Sequence, residues 1–379
     1  MSIAVAESLL VLRRARGMTQ TELADAAGIT QAALSRYEND MREPDKEIVR
    51  KLADALGVTA PFLAHDFQMR GGIAADAHMR RKATAKPADW KRVEAKVNEL
   101  RMHSSFLLER VPLEPGRHVL NLDPDEQTPQ EAAQMQRASW QMPIGPVRHL
   151  VRWLEAAGVL VVEESFGTQR IDGMSQWAGE HAVVLVNAAM PTDRRRWTLA
   201  HELGHLILHS TYIGADAEGQ ANAFAAEFLM PEQVIRSELS NLSLGKLMDL
   251  KAEWGTSMQA ICERAVELKK ATSGDRQRFY RQMRDRGWRI HEPGSDELAP
   301  ETPTLARSLG RQLLDAGLSR AEVAQMVGVC KGRNSVFLPE PTAGAASNGA
   351  SSRPEPTAGE TGAPAPKSLK AALAAAEAP

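Results

Sequence analysis

Trp197-Thr198-Leu199-Ala200-His201-Glu202-Leu203-Gly204-His205 sets two histidines four residues apart with a glutamate between them. On a helix, positions i and i+4 share one face, so both imidazoles can reach a single metal ion. Glu202 lies beside them, where its carboxylate can take a proton from water at the metal and so generate hydroxide near neutral pH. A site of this kind needs a third protein ligand and an open fourth position. Asp216, Glu218 and Glu227 all lie downstream within reach. His209 continues the i+4 series, but two turns of helix separate it from His201, so it reads as a supporting or packing residue. Tyr212 is a candidate for stabilising an oxyanion.

Immediately outward, Val159 to Glu163 and Ala182 to Asn187 (AVVLVN) read as short strands leading into a helix at Arg195 to Leu208. Val147 to Ala157 has helical period after the breakers Pro143, Gly145 and Pro146. A further helix is predicted from Glu218 to Leu229, stopped by Pro231, with more helices up to Arg286. Only Cys262 and Cys330 are present, far apart, so no disulfide framework and no cysteine metal site is available. Histidines and carboxylates must build the site.

With 379 residues, 43% apolar and 25% charged, the chain is long enough for two or three domains. It has no run of 18 uncharged apolar residues and no secretory-type N-terminus, which points to a cytoplasmic protein with no membrane partner. The net charge of −2 decides nothing about nucleic acid, because phosphate is bound by local patches. Residues 70–101 hold nine Lys or Arg against four Asp or Glu, and residues 269–289 hold eight against two, whereas residues 1–66 hold eight against ten.

Near the N-terminus, Gly17-Met18-Thr19-Gln20-Thr21-Glu22-Leu23-Ala24-Asp25-Ala26-Ala27-Gly28-Ile29-Thr30-Gln31-Ala32-Ala33-Leu34-Ser35-Arg36-Tyr37-Glu38 encodes two short helices about a tight turn. Thr19 and Glu22 form a capping box, Gly28 supplies the left-handed turn residue, and Thr30 caps the second helix. Leu23, Ala24, Ala27, Ile29 and Leu34 pack the pair together, leaving Gln31, Ala32, Ser35 and Arg36 facing out. Those side chains suit the major groove: Gln pairs with adenine, Arg with guanine, and the Ala32 methyl meets thymine. Gln20 and the two helix N-termini, the second opened by Thr30, can hold phosphates.

The pattern over residues 5–64, with G-M-T-Q, E-L-A, G-I-T-Q-A-A-L-S-R-Y-E and the later R-E-P-D, resembles the Cro/lambda-repressor-like or XRE family of helix-turn-helix domains. That resemblance implies homodimers on a two-fold, double-stranded DNA operator. The metal motif with Glu218-Gly219-Gln220-Ala221-Asn222-Ala223-Phe224-Ala225-Ala226-Glu227-Phe228-Leu229-Met230-Pro231 resembles the ImmA/IrrE metallopeptidase family. It implies Zn2+ held by His201, His205 and Glu218, with Asp216 the runner-up, Asn222 supporting the ligands and Glu227 structural. Asp172-Gly173-Met174-Ser175-Gln176-Trp177 matches another stretch of that family. The strand Val183 to Asn187 matches one as well, and is read as able to pair with an extended peptide beside the zinc.

In the C-terminal third, Gly317 to Val329 repeats Gly17 to Ile29, capping box and turn glycine included. The next residues, Cys330-Lys331-Gly332-Arg333-Asn334, make no recognition helix, so the segment reads as a helical hairpin. Arg276 to Trp288 resembles the C-terminal region of long regulators combining the same two domains, though its basic residues read first as a solvated face.

The expected fold is mainly α: a lambda-repressor-like helix-turn-helix bundle, an α+β zincin-like domain with a small sheet, a helical C-terminal region and a disordered tail. The expected divisions are 1–67, a basic helical connector at 68–125, the metallopeptidase domain at 126–240, the C-terminal region at 241–335, and an Ala/Pro/Gly-rich tail at 336–379. The expected function is a DNA-binding transcriptional regulator whose zinc domain cleaves a protein partner or senses a signal. The alternative is an endopeptidase whose main role is to cut a DNA-bound repressor.

Overall fold

The computed structural model describes residues 3–67, 86–210 and 214–339. The chain is mainly helical around one small sheet. Helices α1 (Ile3–Ala15), α2 (Gln20–Ala27), α3 (Gln31–Glu38), α4 (Lys46–Leu56) and α5 (Ala60–Leu63) enclose a core of Leu9, Leu12, Leu23, Leu34, Leu52, Leu56 and Phe62. Their boundaries are set by local chemistry. Thr19 and Glu22 make the reciprocal capping box, Gly28 ends α2 at φ 66°, and the Thr30 hydroxyl accepts from Ala33 N at the start of α3.

The basic connector conceals an element of both cores. Helix α6 (Pro87–Leu108), 22 residues and about 33 Å long, buries apolar side chains around most of its circumference. Met102 and Phe106 complete the helix-turn-helix core, while Trp90, Val93, Val97 and Leu100 pack against the sheet. Residues 68–85 of the connector lie outside the described residues.

Helices α7 (Pro129–Ser139) and α8 (Leu150–Ala156) precede the sheet of β1 (Leu160–Glu164), β2 (Gly173–Ala178) and β3 (His181–Asn187). Helix α8 starts three residues later than the periodicity predicts because His149 takes a left-handed conformation at φ 51°. The strand order is β1-β3-β2, with β1 parallel and β2 antiparallel to β3. This corrects one expectation: the strand Val183 to Asn187 is central, with both backbone edges paired, so it has no edge left for a peptide. The edge strands are β1 and β2, and β2 is buried on both faces.

Ala182, Val184 and Val186 of β3 face helices α9 (Thr192–Leu208) and α10 (Ala217–Leu229). Val183 and Leu185 face α6 and the C-terminal helices α15 (Leu305–Asp315) and α16 (Arg320–Val327). Between these lie α11 (Glu232–Glu238), α12 (Leu244–Trp254), α13 (Met258–Glu267) and α14 (Ser273–Asp285). All four add residues to the core beneath α9 and α10. Residues 289–304 strap across this domain: Glu292 accepts from Lys251 Nζ at 3.0 Å and Met258 N at 2.6 Å, and Glu301 pairs with Arg196.

Residues 337 and 338, inside the stretch 336–379, are packed. Phe337 and Leu338 are buried in the core shared by α6, α15 and α16, so the packed chain runs to Pro339. Residues 340–379 lie outside the described residues.

Candidate metal centre and DNA-reading face

Helix α9 carries His201 and His205 on the face that meets α10, and Glu218 sits in the first turn of α10. The two helices approach closely because residue 204 is glycine: a Cβ there would lie 3.1 Å from the Phe224 side chain. The crossing brings three donors together. His201 Nε2 lies 3.1 Å from His205 Nε2, and the Glu218 carboxylate lies 3.3 Å from His205 Nε2 and 3.7 Å from His201 Nε2. His205 and Glu218 are buried and His201 is half-buried. Among the described residues this is the group of His, Cys, Asp and Glu side chains able to hold a metal ion.

The surrounding hydrogen bonds orient each imidazole. His201 Nδ1 lies 3.0 Å from Asn222 Oδ1, an acceptor, so Nδ1 carries the hydrogen and Nε2 presents its lone pair. His205 Nδ1 meets His209 Nδ1 at 3.0 Å, and His209 Nε2 donates to Gln220 Oε1 at 2.8 Å. That chain places a hydrogen on His205 Nδ1 and leaves Nε2 facing the carboxylate. Two imidazole lone pairs and a carboxylate thus converge within 4.8 Å, a donor set that suits a divalent cation such as zinc.

The other candidates fall elsewhere. Asp216 is exposed at the N-cap of α10 with its carboxylate turned against Gly219. Glu227 is 1% exposed and tied to Arg264, Gln134 Nε2 and the backbone of Glu232. Tyr212 lies outside the described residues.

Glu202, 1% exposed, leaves α9 on the side facing β2. Ser175 Oγ donates to Glu202 Oε2 at 2.7 Å. Gly173 makes room for this approach, because a Cβ there would sit 2.6 Å from Thr198 Cγ2 and 3.7 Å from Glu202 Cγ. Trp177 Nε1 donates to Leu206 O at 3.3 Å, so alternate residues of β2 hold α9 in register. His209, read in the sequence as a supporting or packing residue, bonds to His205, whereas Gln220 and the role of Ser175 within Asp172–Trp177 escape that reading. The signals for them there are the alternation in G-M-S-Q-W and the position of Gln220 two residues after Glu218.

In the N-terminal bundle, Gln31, Ala32 and Arg36 are exposed along α3, Ser35 is half-buried, and Thr30 caps the helix. Gln20 is not free to wander. Its Nε2 donates to Glu38 Oε2 at 2.8 Å and its Oε1 accepts from Gln31 Nε2 at 2.8 Å. Glu38, with a side chain 2% exposed, also takes a two-pronged contact from Arg13 at 2.5 and 2.8 Å. A buried ion pair therefore positions both glutamines, a role for Glu38 that its place at the end of the motif does not disclose.

Comparison with known proteins agrees with both halves. The profile of the IrrE N-terminal-like domain matches residues 154–266, and that of a helix-turn-helix domain matches residues 10–63. The radiation response metalloprotease IrrE of Deinococcus radiodurans is 42% identical over a stretch covering 16% of this chain and 23% of its own length. The SPbeta prophage-derived HTH-type transcriptional regulator YonR of Bacillus subtilis is 39% identical over 57 residues, 15% of this chain and 53% of its own length. The chain spans about a quarter of the first relative and about half of the second. It is thus similar to XRE-type helix-turn-helix domains over residues 10–63 and to the IrrE/ImmA-type domain over residues 154–266.

Proposed function

We propose that this protein is a cytoplasmic, sequence-specific DNA-binding regulator whose second domain is a zinc-dependent endopeptidase acting on a protein partner. The observation that carries the reading is the convergence of His201, His205 and Glu218 next to the helix position of Glu202, whose carboxylate accepts from Ser175, in a chain that also presents Gln31 and Arg36 outward.

His201, His205 and Glu218 would hold the ion, and Asn222, His209 and Gln220 fix the ring orientations. Zinc bound there would supply Lewis acidity toward a peptide carbonyl and a water molecule. Glu202 would serve as the proton acceptor and hand the proton to the departing amine. The Ser175 hydroxyl donates to Glu202 Oε2 and so fixes the orientation of its carboxylate. An extended substrate pairs with the outer edge of β2, which has no strand neighbour on that side among the described residues. In the N-terminal domain, Gln31, Ala32, Ser35 and Arg36 read base edges while Gln20 and Thr30 meet phosphates, with two copies on a two-fold operator.

The test is metal content of wild type beside His201→Ala, together with incubation against a repressor from the same genome. About one zinc per chain, lost in the variant, and a cut that disappears in Glu202→Gln support the endopeptidase. Zinc without a cut moves the reading to a regulator that keeps the domain as a sensor, the second function class. Separately, Gln31→Ala with Arg36→Ala should abolish operator binding at unchanged metal content, and retained specific binding overturns the assignment of α3.

A further inference from the structure

The half-motif at Gly317–Val329 lacks a recognition helix of its own, and the place where one would continue is filled by the N-terminal domain. Helix α16 ends at Gly328 (φ +83°), and helix α4 ends at Gly57 (φ +74°). The two ends meet as an antiparallel bridge between Val58 and Val329. Thr59 N donates to Gly328 O at 2.9 Å, and Cys330 N donates to Gly57 O at 3.1 Å.

Each side contributes the same four parts: a helix end, a left-handed glycine, a bridging valine, and an N–H given to the opposite glycine. A contact built from matching halves is close to two-fold, and a segment that supplies one half can pair with another copy of itself. The contact is tight as well. A Cβ on Gly328 would lie 2.1 Å from Phe62 Cδ2, so a larger residue at 328 cannot seat there. His103 of α6 stacks on Phe62 with ring centroids 4.3 Å apart, and its Nδ1 lies 2.7 Å from Val327 O. Glu99 links His103 to Arg16 of α1, which ties the bundle, α6 and the C-terminal hairpin together.

We infer that the Gly57–Thr59 edge is a docking edge for a second copy of the DNA-binding domain, and that the C-terminal half-motif occupies it in cis as a clasp. The DNA-binding domain keeps α6 in its core through Met102 and Phe106, so it is the hairpin of α15 and α16 that lifts from the Gly57–Thr59 edge, and the domain exchanges it for its counterpart in another chain. The inference deepens the proposed reading of two copies on a two-fold operator. Its test uses no DNA and no peptidase assay, so it fails or holds independently of that reading.

The experiment uses the full chain carrying Cys330→Ser, leaving buried Cys262 as the only native thiol. With Val58→Cys and Val329→Cys together, mild oxidation should form an intrachain disulfide and keep the mass at 41.4 kDa by light scattering. Opposed residues of such a bridge have Cα atoms about 4.5 Å apart, within disulfide reach. With Val58→Cys alone, the clasped chain should remain uncross-linked. Adding Gly328→Val should shift the mass toward twice 41.4 kDa and allow a disulfide between two chains through position 58. Far-UV circular dichroism checks folding. If Gly328→Val does not fold, Cys330→Pro, which removes one N–H of the bridge, decides in its place. An opened clasp that leaves the protein monomeric and uncross-linked overturns the inference. So does a wild-type chain that is already dimeric and cross-links through position 58.

Discussion

Asn222→Ala isolates the part of the metal centre that is not itself a ligand. Asn222 lies one helical turn beyond Glu218 on α10, and its Oδ1 accepts from His201 Nδ1 at 3.0 Å. Alanine leaves that half-buried N–H without its acceptor and lets the imidazole turn away from the Nε2-inward orientation. Loss of such a partner costs roughly 10–100-fold in metal affinity, or about 1.4–2.8 kcal/mol. Gln220→Ala acts one hydrogen bond further out, through His209 to His205, so its effect should be the smaller of the two, below about tenfold. Asn222→Asp keeps an acceptor and should bind zinc at least as tightly as wild type. The assay is competition for zinc with a chromophoric chelator at neutral pH, with circular dichroism to confirm an unchanged fold. Wild-type affinity in Asn222→Ala, or a larger loss in Gln220→Ala, would refute the orientation argument.

Three further outcomes rest on buried charge and burial. Glu38→Ala removes the carboxylate that holds Arg13 and Gln20, leaving a largely buried guanidinium uncompensated. Denaturant unfolding of the DNA-binding domain should lose about 3 kcal/mol, and operator affinity should fall with it; an unchanged midpoint would remove Glu38 from that role. Burial alone would raise the Glu99 carboxyl, but His103 and Arg16 outweigh it and hold its pKa below the ordinary 4.5. A depressed carboxylate stabilises fully above that ordinary value, and its contribution is lost as pH falls through the folded value. The thermal midpoint of wild type should therefore drop more steeply below pH 4.5 than that of Glu99→Gln, and parallel curves would contradict this. Burial, aided by the nearby Glu263 charge, pushes the Cys262 thiol up to about 11, whereas Cys330 is half-buried at the clasp. A thiol reagent at mildly alkaline pH should thus modify one cysteine per chain, Cys330, in the folded protein, with Cys262 reacting only on unfolding.

Much of the fold is legible in the sequence because it is written in local chemistry. The capping box at Thr19, the left-handed Gly28 and the i, i+4 histidines are set by neighbours within four residues, and the structure places α2, α3 and α9 accordingly. The third donor lies beyond local spacing: Asp216, Glu218 and Glu227 are all near in the chain. The packing of α10 on α9 through Gly204 and Phe224 brings Glu218 beside the histidines, while Glu227 is buried against Arg264. Strand order is likewise hidden, since Val183 to Asn187 reads as any apolar strand. Its central position appears only when β1 and β2 pair on either side of it, and that pairing leaves β1 and β2 at the edges of the sheet. Helix α6 carries a basic composition that reads as a linker, yet its burial comes from two cores on opposite sides, which no single-face periodicity records. The half-repeat at 317–329 is plain in the sequence, but its partner is not. Contacts across more than 250 residues, such as Val58 with Val329, depend on how whole domains stack, and stacking is decided by tertiary burial rather than by any local pattern.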